Sequence, residues 1–145
     1  MIPPIYQTNL SGTAAQQFLH RARMFRDAAC LPALPDYRNG EPFWPKYALL
    51  THAIELALKA FALHHSVDIG RGPGNHDLRG WYNVALQHGH GDNPAISENI
   101  DKLNDLHSSH YSRYPQRRPV PDASVIADST VEHLISTFTQ LINPR

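Results

Sequence analysis

The stretch from residue 45 to residue 66 constrains this chain more than any other. It opens with Pro45, runs for about twenty residues without another proline and without any glycine, and is apolar on two sides of a helix. Tyr47, Leu50, Ile54, Leu58 and Phe61 follow one another at steps of three and four, and Leu49, Ala53, Leu56, Ala60 and Leu63 repeat the pattern nearly opposite. Proline is tolerated in a first helical turn, where its missing N–H would have no partner anyway. Only His52, Glu55 and Lys59 leave a narrow polar strip. Such a helix is buried at the centre of a bundle, or buried on one side by its own bundle and on the other by a partner subunit.

The rest of the chain supplies the helices that surround it. Thr13 and Gln16 have the spacing of a capping box, and Ala14, Phe18, Ala22, Phe25 and Ala29 recur with helical period after it, predicting a first helix to about residue 30. Four prolines and the pair Asn39-Gly40 then make a loop up to the long helix. Gly70, Gly72, Pro73 and Gly74 end the long helix and connect it to a third one. Asn75 is placed to cap this third helix and Asp77 to favour its positive end, and Leu78, Trp81, Tyr82, Ala85 and Leu86 give it an apolar face that stops at Gly89 and Gly91. A fourth helix is expected from a Ser97 cap, with Ile100, Leu103 and Leu106 inward. A fifth starts near residues 122–124 and carries Val131, Leu134, Ile135, Phe138, Leu141 and Ile142. No segment alternates strictly enough to predict a strand. The expectation is an all-α, up-and-down bundle of about five helices in one domain spanning residues 1–145, a length that one core can serve.

Composition narrows the function classes. Thirteen Lys plus Arg balance thirteen Asp plus Glu, which excludes the overall basic field of a bulk nucleic-acid coat and makes any polyanion site local. Cys30 is the only cysteine, so an internal disulfide and a cysteine-based zinc cage are both excluded. No basic segment followed by an apolar run marks a signal peptide at residues 1–15, and no apolar stretch reaches the roughly 20 residues of a membrane-spanning helix. A cytoplasmic chain with no membrane association is expected.

The residues from Tyr47 to Leu63, the glycine-rich connection, and the run Asn75, His76, Asp77, Leu78 together resemble the HEPN family. In that family a helix with a Glu-x-x-x-Lys pattern, here Glu55 and Lys59, leads through a short glycine-containing loop to a His-Asp-Leu helix start, here His76, Asp77 and Leu78. The resemblance covers about residues 45–90, with a fainter echo at Arg113, Tyr114 and Pro115. It implies a helical bundle, often dimeric. It also implies one of two activities: a metal-independent ribonuclease of toxin or defence systems, or a noncatalytic module that binds nucleotides or nucleic acid. The ribonuclease members carry an arginine, four to six residues and a histidine on a helix near the dimer interface, where the arginine steadies a phosphate and the histidine assists proton transfer. Arg71 and His76 satisfy that spacing, but Gly72, Pro73, Gly74 and Asn75 lie between them and put the pair in a loop.

Two further constellations carry chemistry. His110, Tyr111, Arg113, Tyr114, Arg117 and Arg118, preceded by His107, form a cationic and aromatic tract with no acidic residue between Asp105 and Asp122. Its arginines suit phosphates and its tyrosines suit stacking on bases; the alternative is a solvated connection whose tyrosines pack on the bundle. His88, His90 and Asp92 alternate with glycines like metal ligands, but a glycine-broken helix end leaves them unconstrained, so a polar turn is expected, with no metal and no cofactor. His64 and His65 complement the dipole at the end of the long helix. Glu55 and Lys59 stand one turn apart in the favourable order for an ion pair, lining an interhelical groove or merely aiding solubility. The sequence therefore favours a noncatalytic HEPN-like module, a homodimer binding a nucleotide, RNA or a partner protein through the Arg113 region. The alternatives are a ribonuclease using Arg71 and His76, or His107 and His110 with Arg113, and a helical scaffold with no ligand.

Overall fold

The computed structural model describes residues 12–31, 34–38, 41–108 and 123–143. Five helices account for most of them: α1 (Ala14–Ala29), α2 (Trp44–His64), α3 (Leu78–Gln87), α4 (Pro94–Ser108) and α5 (Ala123–Ile142). Between α1 and α2 a short antiparallel ribbon pairs β1 (Tyr37–Arg38) with β2 (Glu41–Pro42). Its two rungs are too short for the alternation that identifies a strand in sequence, and the fold is all-α.

Each helix packs on its neighbour in sequence, and α5 closes the bundle by lying against α2, α1 and α4. α2 is thus covered by α1, α3 and α5, with α4 touching it as well. Every residue from Ala53 to Ala62 is buried. Of the two arrangements open to a helix apolar on both sides, the first holds, and the bundle itself covers α2 without a partner subunit. Burial outweighs end effects here. The N-cap residue of α2, Phe43, makes no side-chain capping bond, a loss of about 1 kcal/mol, whereas Leu50, Ile54 and Leu58 are each fully buried and contribute about 1.5–3 kcal/mol apiece.

The capping box of α1 is formed. The Gln16 N–H donates to Thr13 Oγ1 at 3.1 Å, and the Thr13 N–H donates to Gln16 Oε1 at 2.9 Å. The inward face of α1 is rotated from the expected one: Ala15, Leu19, Ala22 and Ala29 are buried, Phe18 and Phe25 pack at its margin, and Ala14 is exposed. Leu19, fully buried, is the largest of the four buried side chains. Two other caps differ from expectation. Asp77 caps α3, accepting the Gly80 N–H at 2.9 Å, because Asn75 is occupied elsewhere. Asn93 caps α4, accepting from the Ala95 and Ile96 N–H groups at 3.1 and 3.3 Å, which places Ser97 in the first turn. In α5 Val131, Leu134, Ile135, Phe138 and Ile142 are buried, but Leu141 faces outward.

Candidate functional site

The most unusual feature of the core is that it contains a carboxylate and an ammonium. Glu55 and Lys59 lie in the part of α2 that is buried on every side, and Glu55 is 3 % exposed and Lys59 9 %. An unpaired charge at that depth would be severely destabilising, so the site holds together only if each charge is met. The Lys59 Nζ donates to Glu55 Oε2 at 2.8 Å and to Asn75 Oδ1 at 2.9 Å, and stands 5.4 Å from the centre of the Trp81 ring. The second carboxylate oxygen, Glu55 Oε1, accepts the backbone N–H of His76 at 3.0 Å, with His76 Nδ1 3.3 Å away. The expected polar strip on α2 is therefore an interior anchor for the loop between α2 and α3.

The loop is shaped to reach that anchor. Asp68 Oδ1 accepts the Gly70 N–H at 3.0 Å, and the chain turns again so that the Asp77 N–H donates to Gly74 O. His76 adopts φ 68°, a left-handed conformation that disfavours a side chain by roughly 1–2 kcal/mol. A charge-assisted hydrogen bond to Glu55 contributes about 1.5–3 kcal/mol and offsets that strain. Trp81, fully buried, donates its indole N–H to Gly74 O at 3.2 Å and lies directly over Gly72, where a Cβ would come within 2.7 Å of the ring. The loop thus closes over a lysine, a tryptophan and a carboxylate.

The two residues that match the ribonuclease spacing are directed to different partners. Arg71 has a side chain 89 % exposed and stands 3.6 Å from Asp68. His76 turns its Nδ1 toward Glu55 and is 36 % exposed. The cationic tract His110, Tyr111, Arg113, Tyr114, Arg117 and Arg118 lies outside the described residues.

The structure also brings together side chains outside this anchor. Arg79 bridges α3 to α4: its Nε is 2.7 Å from Asp101, its Nη2 donates to the carbonyl and hydroxyl oxygens of Ser97 at 2.7 and 2.8 Å, and its Nη1 donates to Asn83 at 3.3 Å. No spacing rule singles out an arginine whose partners are spread over two helices. An open cleft of about 330 Å³ is lined by Cys30, Asp36, Lys46, Val125 and Asp128. Desolvation and the nearby Asp128 push the Cys30 thiol above its ordinary value, so little nucleophilic thiolate is present. At the far end of α2, His64, His65 and His88 form a chain of ring contacts, and His90 meets His133 from α5. Among the described residues no three His, Cys, Asp or Glu side chains are grouped so as to hold a metal ion, and no helix is long and apolar enough to cross a membrane.

In comparisons with known proteins, no protein-family model, no curated protein and no solved structure matches this chain.

Proposed function

We propose that this chain is a noncatalytic, HEPN-like helical module that binds single-stranded RNA through the tract from His110 to Arg118. The observation that supports the noncatalytic reading is the anchor at Glu55. A metal-independent ribonuclease needs a histidine free to move protons beside an arginine free to meet a phosphate. Here the His76 ring turns its Nδ1 toward Glu55, 3.3 Å away, while Arg71, largely exposed, stands beside Asp68 instead. The residues that carry the family resemblance are employed in building the loop. Binding then falls to the one stretch of sequence that concentrates arginine and tyrosine without acidic residues. The reading needs no second subunit, since the helix whose two apolar faces suggested a homodimer is covered from within the chain.

The test is fluorescence anisotropy with a single-stranded RNA oligomer over a range of salt, with the same RNA examined for cleavage. The protein should bind, and the triple variant Arg113→Ala, Arg117→Ala, Arg118→Ala should bind more weakly, with the slope of log K against log salt shallower by about 2. That figure assumes three phosphate contacts at about 0.7 each on a single strand. Absence of binding at low salt, or an unchanged triple variant, overturns the proposal in favour of a scaffold or of a protein partner. RNA cleavage that disappears in His76→Ala replaces it with the ribonuclease reading.

A further inference from the structure

The C-terminal end of α3 carries a histidine where its backbone geometry calls for an apolar residue. Gly89, at φ 97°, follows the C-cap residue His88; its N–H donates to Leu86 O at 3.3 Å, and the His90 N–H reaches back to Ala85 O at 3.0 Å. That pair of bonds is the Schellman closure, in which the residue after the glycine folds back onto its own helix and usually makes a hydrophobic contact there. His90 takes that place. Its ring lies 5.8 Å from Phe61 on α2, 5.8 Å from Tyr82 on α3 and 5.3 Å from Phe138 on α5. Its Nε2 is buried and has no hydrogen-bond partner among the described residues.

We propose that His90 is an acid-sensitive latch: neutral, it plugs the junction of α2, α3 and α5 and holds the following turn in place, and protonated, it leaves the junction and releases the start of α4. The turn that follows His90 is short. Two residues on, Asp92 accepts the Tyr82 hydroxyl at 3.2 Å, and the next residue, Asn93, supplies the cap of α4.

A neutral imidazole can occupy this slot. An imidazolium cannot do so cheaply, because its second N–H would point into apolar surroundings with no acceptor. The facing groups sharpen the effect. From α5, His133 stands 6.4 Å from His90; from α2, His65 stacks on the same Phe61 ring at 4.3 Å, with His64 beyond it; His88 lies 5.7 Å from His65. The carboxylate of the same turn, Asp92, is already engaged by the Tyr82 phenol. Desolvation first, and then His133, hold the His90 pKa below its ordinary value of 6.5, with Asp92 pulling the other way. The folded state consequently binds fewer protons than the unfolded one, so stability is full above 6.5 and falls as the pH drops from there to the folded-state pKa.

The experiment combines an NMR titration of the histidine rings in the full chain with amide hydrogen exchange of Ile100 and Leu103 in α4 at several pH values, corrected for intrinsic exchange. His90 should titrate below the exposed histidines, and the opening equilibrium of α4 should rise by up to roughly tenfold per pH unit through the same window. His90→Leu, which restores an apolar residue at that position, should keep α4 protected at low pH. The proposal is overturned if His90 titrates at or above the value of an exposed histidine, or if His90→Leu loses protection with acid as the wild type does. Should the leucine variant not fold, the titration and exchange midpoints of the wild type decide by coinciding or not.

Discussion

Replacing Lys59 with methionine tests whether the interior anchor holds the protein together. Methionine keeps the length and most of the apolar stem of lysine on a helix it favours, so the substitution removes little beyond the ammonium. The loss is twofold: the Glu55 carboxylate, 3 % exposed, loses the cation 2.8 Å away, and Asn75 Oδ1 loses its donor at 2.9 Å. Removing one partner of a buried pair destabilises by about 3–5 kcal/mol, and the 11 % exposure of the Lys59 side chain places this case at the lower end, about 3 kcal/mol. For a chain of this size that is about 6–12 °C in Tm. The double variant Glu55→Gln, Lys59→Met should recover part of the loss, because a glutamine oxygen still accepts the His76 N–H and no charge is left behind. The expected coupling is about 1–3 kcal/mol. Urea unfolding at pH 7 of the wild type, both single variants and the double variant measures it, provided that all four share one m-value. A loss under about 1 kcal/mol for Lys59→Met, with additive single effects, would show that the pair behaves as a solvated surface pair and that the loop is held by other means.

Two more substitutions probe the same architecture. Gly72→Ala places a methyl 2.7 Å from the Trp81 ring, which is fully buried and tied to Gly74 O, so it should destabilise by about 1–3 kcal/mol and alter tryptophan emission, whereas Gly74→Ala, with open space at its Cβ position, should leave urea unfolding within about 0.5 kcal/mol of wild type. Arg79→Lys cannot span Asp101, Ser97 and Asn83 together, and should cost about 1–2 kcal/mol and speed amide exchange at the start of α4; unchanged exchange there would mean that α4 is held by its apolar face alone.

Much of the helical layout was legible because apolar periodicity and capping chemistry are local. Thr13 and Gln16 announce α1, and Gly89 announces the end of α3, since each acts within one turn of its own helix. Apart from the rotated face of α1 and the outward Leu141, the differences fall where a polar side chain has two competing uses. Asn75 is as good a cap as Asp77 by type, and only the position of Lys59 on another helix decides that Asn75 accepts from the lysine and Asp77 from Gly80. Likewise Ser97 has the chemistry of a cap, but Asn93 precedes it by one turn and Ser97 serves Arg79. In sequence His90 belongs to a polar turn, because its surroundings, Phe61, Tyr82 and Phe138, come from three helices.

The burial of Glu55 and Lys59 was, by contrast, deducible in principle. A pair one turn apart is ambiguous on an ordinary amphipathic helix, where it falls on the solvated face. On α2 the residues beside the pair, Ile54, Leu56, Ala57, Leu58 and Ala60, are all apolar and all buried, so no solvated face exists for it to occupy. Lys59, one turn on, meets one oxygen of that carboxylate, but the helical N–H groups around it are already bonded, so the other oxygen must accept from outside the helix. The nearest source in sequence is the glycine-rich segment that follows, whose residues can bring a backbone N–H close. His76 supplies that N–H from a left-handed conformation. The same logic bears on function. Substituting the anchor of this loop should register in folding before it registers in any chemistry.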